Sequence, residues 1–436
     1  MTGGGGGGGS SDDCTATAND ILKGKTAVYN GSGDEPQEGT LELTGDAADG
    51  YVYSGKTYYN TDARTKRTGT MTVGSILNFS AAAYSGRQVL LKWQNPYAAT
   101  GKPFGGVFIN YSTSGYPGTG GTRIYTGYGN NNASGGWSQV VVTLPNLNTT
   151  YYFSCTAYVG CSVGDMWGNT MNASCKTAGE IWQNITWSQN YTVPTGYNYV
   201  DIFCVGGGGG GSCAMTMHVA GGGGAGGYTN TALNVAVSAG QVLNCSVGAG
   251  GAGGVTKGSY SSTAAGNGGT TSVSRNGSML CSASGGNGAG SGSRDGGGGG
   301  SGGGGGSDYG TLYAGGSNGG NGQGGASTNQ YIGHGGSGQG RTTKAWGNGT
   351  LYSGAGGGGS EGMTTGGSGG SGGGGAGGGY TYVSGKGPTL NATITSGSTN
   401  TGGGGGAYHG RGQAGNDNKG GNGAAGGSGI ILLHIH

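Results

Sequence analysis

Between residues 76 and 178, apolar and polar residues alternate in short stretches that turn-forming residues separate. Alternation with a period of two is typical of β-strands that have one buried and one exposed face. Such strands, with a buried tryptophan early and a tyrosine-rich strand late, predict a β-sandwich. The positions predicted to face inward are Val89, Leu91, Trp93, Val107, Ile109, Tyr111, Val140, Val142, Leu144, Tyr151, Phe153, Cys155, Ala157 and Val159.

A second set of strand patterns lies between residues 181 and 436, where glycine-rich stretches interrupt them. The apolar stretch 430–435 is expected to pair beside 199–205 and to close the domain. A flexible tail would not need an apolar strand at its far end, so we interpret the glycine-rich stretches as excursions from a β framework. The predicted strands are 198–205, 233–237, 243–247, 270–274, 278–282 and 430–435.

One hairpin of this region can be predicted in detail. Asn276-Gly277 is a strong signal for a two-residue turn, because both residues readily adopt the positive φ that such a turn needs. The turn would set Val273 opposite Leu280. The whole chain is therefore predicted to be all-β.

Residues 1–75 contain a short repeat. Each copy holds Gly-Lys-Thr, beginning at Gly24 and Gly55, followed by Gly-Thr at Gly39 and Gly69. Neither copy is long enough to bury a core alone. The second copy also matches the phosphate-loop pattern over 50–57, but no apolar strand precedes it and a poor helix start follows. We therefore expect no nucleotide site there.

Glycine supplies 120 of the 436 residues, often in uninterrupted runs. Glycine loses more conformational freedom on folding than any other residue, so an ordered domain of this kind needs an unusual source of order. Collagen is excluded because the strict period of three and the prolines are missing. The runs from residue 296 onward are predicted to form a bundle of polyglycine II-like helices joined by backbone hydrogen bonds. Flexible Gly/Ser loops are the alternative.

Charge and hydropathy narrow the class of protein further. Only 8% of residues are charged and the net charge is +2, so we expect no nucleic-acid partner. No run of 18 apolar residues occurs, so no membrane insertion is expected. The first residues show no secretory signal, which favours synthesis in the cytosol and, if the protein works outside the cell, release by lysis or as part of a particle. The eight cysteines lack CxxC spacing and predict buried free thiols rather than disulfides or a metal site.

No arrangement of residues typical of an enzyme is present. The 17 aspartates and glutamates form no convincing catalytic pair, and neither a nucleophile elbow nor zinc-ligand spacing occurs. We therefore predict no enzymatic activity, no catalytic residues, no cofactor and no metal site. His434 and His436 would share one face of a strand and could share a metal, but a plain strand edge is the favoured interpretation.

Isolated aromatic residues within the glycine-rich stretches are the candidate binding residues. Tyrosine framed by glycine, serine and asparagine is typical of adaptable binding surfaces. The alternative is that these side chains pack between glycine helices. The predicted receptor contacts are Tyr309, Tyr313, Tyr331, Trp346, Tyr352, Tyr380, Tyr382 and Tyr408.

Three features together resemble tail and fibre proteins of bacteriophages that infect Gram-positive hosts. Residues 19–40 are similar to a short module of such tail proteins. Residues 93–96 and 144–157 resemble a fibronectin type III module. Residues 193–209, with the closing stretch 426–433, look like the phage glycine-rich domain.

The resemblance implies a non-enzymatic virion component of a tail or fibre. Residues 1–75 would attach it to other virion tail proteins, 76–178 would act as a spacer, and 181–436 would bind a bacterial surface carbohydrate or protein. Fibre proteins of this type are commonly trimers, so the resemblance implies a homo-oligomer. The first alternative is a structural decoration or fibre-shaft protein without receptor binding. A glycine-rich ectodomain or ice-binding protein is a weaker one.

Overall fold

The computed structural model confirms the predicted all-β class. Among the residues it describes, the regular elements are β-strands and short 3₁₀ helices, namely Ser11–Asp13, Ala18–Asp20 and Asp49–Tyr51. No helix in this part of the chain is long and apolar enough to cross a membrane. The described residues are 9–436 except 162–163, 215–219, 258–260, 292, 307–314, 316–318, 326–332, 337, 339–348, 361–364, 384–386 and 410–420.

The chain divides into two compact units. The first comprises Met1–Tyr84 and Gln88–Thr177, so it includes both the N-terminal repeat and the sandwich strands. The second comprises Ser85–Arg87 and Ala178–His436, which is nearly the predicted glycine-rich domain. The predicted boundary between 1–75 and 76–178 therefore lies inside one compact unit.

Both copies of the N-terminal repeat fold alike. In each copy the threonine of Gly-Lys-Thr begins a two-residue strand that pairs with a strand close to the Gly-Thr. A Cβ on Gly39 or Gly69 would lie less than 3.0 Å from a backbone carbonyl oxygen, which explains the glycine there. A strand rather than a helix follows residues 50–57, so a phosphate loop is not formed. The pairs are β1 (Thr26–Ala27) with β2 (Gln37–Glu38), and β3 (Thr57–Tyr58) with β4 (Arg67–Thr68).

The predicted β-sandwich is present in the first unit. One sheet has the strand order β5-β6-β9, and the other has the order β11-β10-β7-β8 and is antiparallel throughout. The strands are β5 (Asn78–Ser85), β6 (Gln88–Gln94), β7 (Gly106–Ser112), β8 (Thr122–Gly127), β9 (Trp137–Thr143), β10 (Thr150–Val159) and β11 (Met166–Lys176).

The core of the sandwich consists of side chains from the predicted inner faces. Tyr111, Val140 and Val159 are half-buried at its margins, and the other predicted inward residues are buried. Trp93 is fully enclosed, and its indole N–H donates to Asn95 Oδ1 at 3.0 Å. Alternation along these strands therefore located the core correctly.

The second unit contains two four-stranded sheets and a hairpin. The sheet orders are β12-β21-β14-β15 and β13-β16-β17-β18, and β19 pairs with β20. The strands are β12 (Ile181–Ile185), β13 (Gln189–Thr192), β14 (Tyr199–Val205), β15 (Thr229–Ala236), β16 (Val242–Ser246), β17 (Thr271–Arg275), β18 (Ser278–Ala283), β19 (Gly379–Val383), β20 (Gly387–Ala392) and β21 (Ile430–Ile435).

The last strand closes the second unit as predicted. β21 lies antiparallel beside β14, from Val200 opposite Ile435 to Val205 opposite Ile430. Its other edge pairs with β12. The strand is therefore central in its sheet, which accounts for its strongly apolar sequence.

Two details of the predicted strands are wrong. The Asn276-Gly277 turn forms with φ values of 50° and 81°, but Val273 pairs with Cys281 instead of Leu280, because a bulge shifts the register beyond the turn. In β15 the alternation also fails, and Leu233 is 59% exposed. A register shift interrupts the pairing of β14 with β15, next to a residue with positive φ at position 234.

The cysteines are free thiols, as expected. Five of them are buried, whereas Cys161 is exposed and Cys14 and Cys175 are half-buried. Four of the buried thiols belong to strands and the fifth follows the glycine run 206–211, and they act there as small apolar side chains. The five are Cys155, Cys204, Cys213, Cys245 and Cys281.

Candidate functional site

The glycine stretch that continues β14 is a helix with three residues per turn. Along residues 206–212, every third N–H donates to the same neighbouring segment of backbone. A repeat of three is the property of a polyglycine II or polyproline II helix, whereas a β-strand repeats every two residues. One of these rows runs from Gly206 to Tyr228, from Gly209 to Ala225 and from Ser212 to Gly222, with donor–acceptor distances of 2.9 Å.

This central helix is surrounded by other backbone on all sides. Its N–H groups point outward in three directions and donate hydrogen bonds to three antiparallel segments. Its C=O groups also point in three directions and accept hydrogen bonds from three parallel segments. Buried backbone groups need such partners, and here no side chain supplies them. The acceptor segments are 222–228, 266–269 and 424–427, and the donor segments are 251–254, 286–289 and 405–408.

Most of these neighbours are continuations of the two sheets. β15 follows directly on segment 222–228, and β17 and β21 follow 266–269 and 424–427 within a few residues. β16 and β18 lead into 251–254 and 286–289 in the same way. The sheets therefore set which glycine segments become neighbours, and we call the resulting array the glycine bundle.

Close backbone packing explains why the bundle needs glycine. A Cβ on Gly208 would lie less than 3.0 Å from the carbonyl oxygen of Gly403, and one on Gly209 would lie equally close to that of Asn287. The residues of the run 206–211 are all buried. Any side chain at these positions would push two hydrogen-bonded helices apart.

The bundle begins earlier in the chain than predicted. The later runs do join it: Gly297 and Gly300 donate to Gly223 and Gly226, again three residues apart. Its centre, however, is segment 206–212, which was expected to be only the first excursion. Segment 206–212 lies at the centre because it directly continues β14, which is a central strand of its sheet.

One end of the bundle lies away from the sheets. Backbone bonds there join Ser212, Gly221 and Tyr408 to one another or to adjacent residues, and we call this the turn end. Gly378 donates to Ala407 beside it, and β19 begins one residue later. The β19–β20 hairpin therefore starts from the turn end.

A glycine-rich domain model matches residues 184–435, which is more than half of the chain. The chain belongs to the glycine-rich domain family. Among proteins of curated function, none matches the chain significantly. In this glycine-rich domain, the matched range begins in β12 and ends with β21, so it covers the two sheets and the glycine bundle that continues them.

The predicted receptor contacts of the glycine-rich domain have different placements. Tyr352 is only 6% exposed and packs on Phe203, with ring centroids 5.7 Å apart. This burial supports the packing alternative for Tyr352 and argues against a receptor contact by its side chain. Tyr408 is half-buried at the turn end and stacks on His409 at 4.3 Å. Tyr408 remains a candidate.

The other predicted contacts are only partly placed. The backbone of Tyr380 and Tyr382 forms part of β19, in the hairpin that starts from the turn end. They stay candidates on this backbone placement alone. Four further candidates lie outside the described residues, namely Tyr309, Tyr313, Tyr331 and Trp346.

An open groove on the sandwich was not predicted from the sequence. Its volume is about 400 Å³, and Tyr97, Phe104 and Tyr128 line it together with Asn132. Tyr97 is 66% exposed. The volume is within the range of small-ligand sites, but the groove is shallow and largely open. The aromatic residues come from separate loops, so no local pattern could have indicated it.

A group of buried and half-buried ionisable residues lies where β12, β21 and β14 adjoin. Asp201 of β14 stands opposite His434 of β21, with Oδ2 3.2 Å from Nδ1. His436 Nε2 lies 3.5 Å from Asp201 Oδ1, and His434 Nε2 lies 3.0 Å from Glu180 Oε2. Burial raises the pKa of Asp201, but the backbone N–H of Asn234 and the two imidazoles outweigh burial and lower it.

Proposed function

We propose that this protein is a non-enzymatic component of a bacteriophage tail or fibre that binds the bacterial surface through the turn end of its glycine bundle. The observation that carries the proposal is the bundle itself. A backbone-bonded array with almost no side chains is a rigid support, and Tyr408 and the β19–β20 hairpin are held at one end of it. Rigid presentation of aromatic residues lowers the entropic cost of binding.

The sandwich supports the proposed spacer role. Its sheets of three and four strands, with Trp93 on the second strand, are what a fibronectin type III-like module would have. In addition, the backbone N–H of Asn146 donates to Tyr151 Oη at 3.0 Å, which is the geometry of a tyrosine corner. On this proposal the N-terminal repeat attaches the chain to other tail proteins, and the protein acts as a homo-oligomer in the virion.

Binding of the labelled full chain to cells that the phage infects tests the proposal. The variant Tyr380→Ser/Tyr382→Ser should bind about tenfold more weakly or worse, because aromatic anchors commonly dominate binding energy. Tyr84→Ser is the matched control, since this tyrosine is 59% exposed on β5 of the first unit. Its binding should equal that of the parent chain.

Two outcomes would contradict the proposal. If the double variant binds as tightly as the control, the hairpin tyrosines are not receptor contacts. If the full chain fails to bind cells to which intact particles attach, the protein is a structural decoration or shaft component instead. Competition of the free chain with particle attachment distinguishes these two results.

A further inference from the structure

The residues around Asp201 are brought together by three neighbouring strands. Trp182 on β12 stands opposite His434 on β21, which in turn stands opposite Asp201 on β14. His436 follows His434 by two residues and so projects from the same face of the strand. Cross-strand register, and not proximity along the chain, therefore creates this cluster.

Two of the spacings between polar atoms in this cluster are close to the edge length of a tetrahedral metal site. Zinc bonds of 2.0–2.1 Å to nitrogen and oxygen give ligand–ligand distances of roughly 3.3 Å. The observed separations are 3.2 Å from Asp201 Oδ2 to His434 Nδ1 and 3.5 Å from Asp201 Oδ1 to His436 Nε2, so each imidazole faces a different oxygen of the carboxylate. One ligand atom from each of these residues lies within 4.8 Å of the others.

The surrounding contacts are those that orient metal ligands. If His434 coordinates through Nδ1, its Nε2–H can donate to Glu180 Oε2 at 3.0 Å, which would fix the tautomer. Asp201 Oδ1 accepts the backbone N–H of Asn234 at 2.6 Å. Trp182 stacks on His434 with centroids 3.9 Å apart and holds the ring in place.

We propose that Asp201, His434 and His436 bind one divalent transition-metal ion of the zinc class, with Glu180 as an outer carboxylate that positions His434. Two imidazoles and one carboxylate are suitable ligands for zinc, and a fourth position is left for water or another ligand. The side chains of the three ligands are 12–25% exposed, so an ion can reach them from solvent.

The site would join the strand that leads into the glycine bundle to the strand that follows its last segment. β14 leads into its central helix, and β21 is the strand to which the chain returns after the last glycine segment. A metal shared by these strands would fasten the closure of the domain. This inference does not depend on the proposed receptor binding.

Titration of the metal-free full chain with Co²⁺ tests the site, because tetrahedral Co²⁺ has intense visible absorption bands. The protein should carry no histidine tag. One Co²⁺ should bind per chain with nitrogen- and oxygen-ligand bands, Zn²⁺ should displace it, and Zn²⁺ should raise the unfolding temperature of the second unit.

Matched variants locate the site. His436→Gln and Asp201→Asn should weaken Co²⁺ binding at least about tenfold, and Glu180→Gln about tenfold through loss of the outer hydrogen bond. His334→Gln is the control, since His334 lies elsewhere and bonds Ser368. Circular dichroism of each metal-free variant checks that it is folded.

Three results would overturn the proposal. The first is the absence of stoichiometric Co²⁺ binding to the folded chain. The second is sulfur-to-cobalt charge-transfer absorption, which would place the ion on cysteine thiolates. The third is equal affinity in the folded His436→Gln and His334→Gln variants, which would show binding outside the cluster.

Discussion

The sandwich of the first unit and the glycine bundle of the second obtain order in opposite ways. The sandwich encloses large side chains, among them Trp93 and Phe153, between two sheets. The bundle excludes side chains and fills its interior with backbone, so that each helix is hydrogen-bonded to several others. Burial of apolar side chains is the main source of stability in the sandwich. Backbone hydrogen bonding and close packing of the helices are the main source in the bundle.

Because the sources of order differ, the two regions should also respond in opposite ways to substitution. A sandwich core loses stability when side-chain atoms are removed, because a cavity forms. The bundle should lose it when a single methyl group is added, because no space exists between helices. The predictions below test this contrast, beginning with the largest expected effect.

Adding one methyl group at the centre of the bundle should be the most damaging change. Gly208→Ala places a Cβ against the Gly403 carbonyl oxygen, and we expect a loss of about 4 kcal/mol or more in the free energy of unfolding of the second unit. Hydrogen exchange of residues 206–212, with denaturant unfolding, measures the effect.

Gly179→Ala is the matched control in the same unit. No atom lies within 4 Å of its added Cβ, so the change should be neutral or stabilising by about 0.4–1 kcal/mol. Equal stabilities of the two variants would show that the bundle is loosely packed and would remove the contrast with the sandwich.

Removing side-chain atoms from the sandwich should have the next largest effect. Leu91 is 0% exposed, and Leu91→Ala should destabilise the first unit by about 2–5 kcal/mol. Exchange protection in the bundle should stay unchanged in this variant. A parallel loss of protection in both units would mean that they unfold as one, contrary to two separate sources of order.

The tyrosine corner should contribute a smaller amount. Tyr151→Phe removes the acceptor of the Asn146 N–H and should lower the unfolding free energy of the first unit by about 1 kcal/mol. Tyr152→Phe is the control, since its ring packs edge-on against Tyr116 and should tolerate loss of the hydroxyl. If both variants lose the same amount of unfolding free energy, the tyrosine-corner hydrogen bond makes no specific contribution to stability.

Thiol labelling compares the unfolding of the two units without a substitution in either. Burial raises the pKa of the Cys155 thiol, and it raises that of Cys245 to about 11, so both stay protonated and enclosed at pH 8. Iodoacetamide at pH 8 should therefore modify exposed Cys161 first. With rising denaturant, Cys155 and Cys245 should become reactive at separate midpoints, one for each unit. Coincident midpoints would indicate a single unfolding transition.

Much of the fold could be predicted because the relevant signals are local. Alternation located the inner face of β6, and the apolar composition of 430–435 indicated a strand that returns to the sheet. The failures came from bulges. The bulge between β17 and β18 pairs Val273 with Cys281 instead of the predicted Leu280. The register shift between β14 and β15 accompanies the exposure of Leu233. A bulge adds one residue to a strand and leaves no clear trace in composition.

The candidate sites were harder to predict, because their parts are far apart along the chain. Tyr352 has the sequence context of a displayed loop residue, yet it is buried on Phe203. The position of Asp201 in an apolar strand does not indicate a metal ligand, whereas the spacing of His434 and His436 places both imidazoles on one face of a strand. Only the register of β14 against β21 brings the carboxylate to the imidazoles.

Residue types and their order along the chain are sufficient to predict that the chain is all-β, that one region has a side-chain core, and that the other consists largely of glycine between apolar strands. Those properties depend on residue type and local period. The three-dimensional fold shows which glycine segments are neighbours, that 206–212 is the centre of the bundle, and which polar groups meet at β21. Glycine segments lack side chains that could encode a partner, so their pairing follows from the sheets to which they are joined.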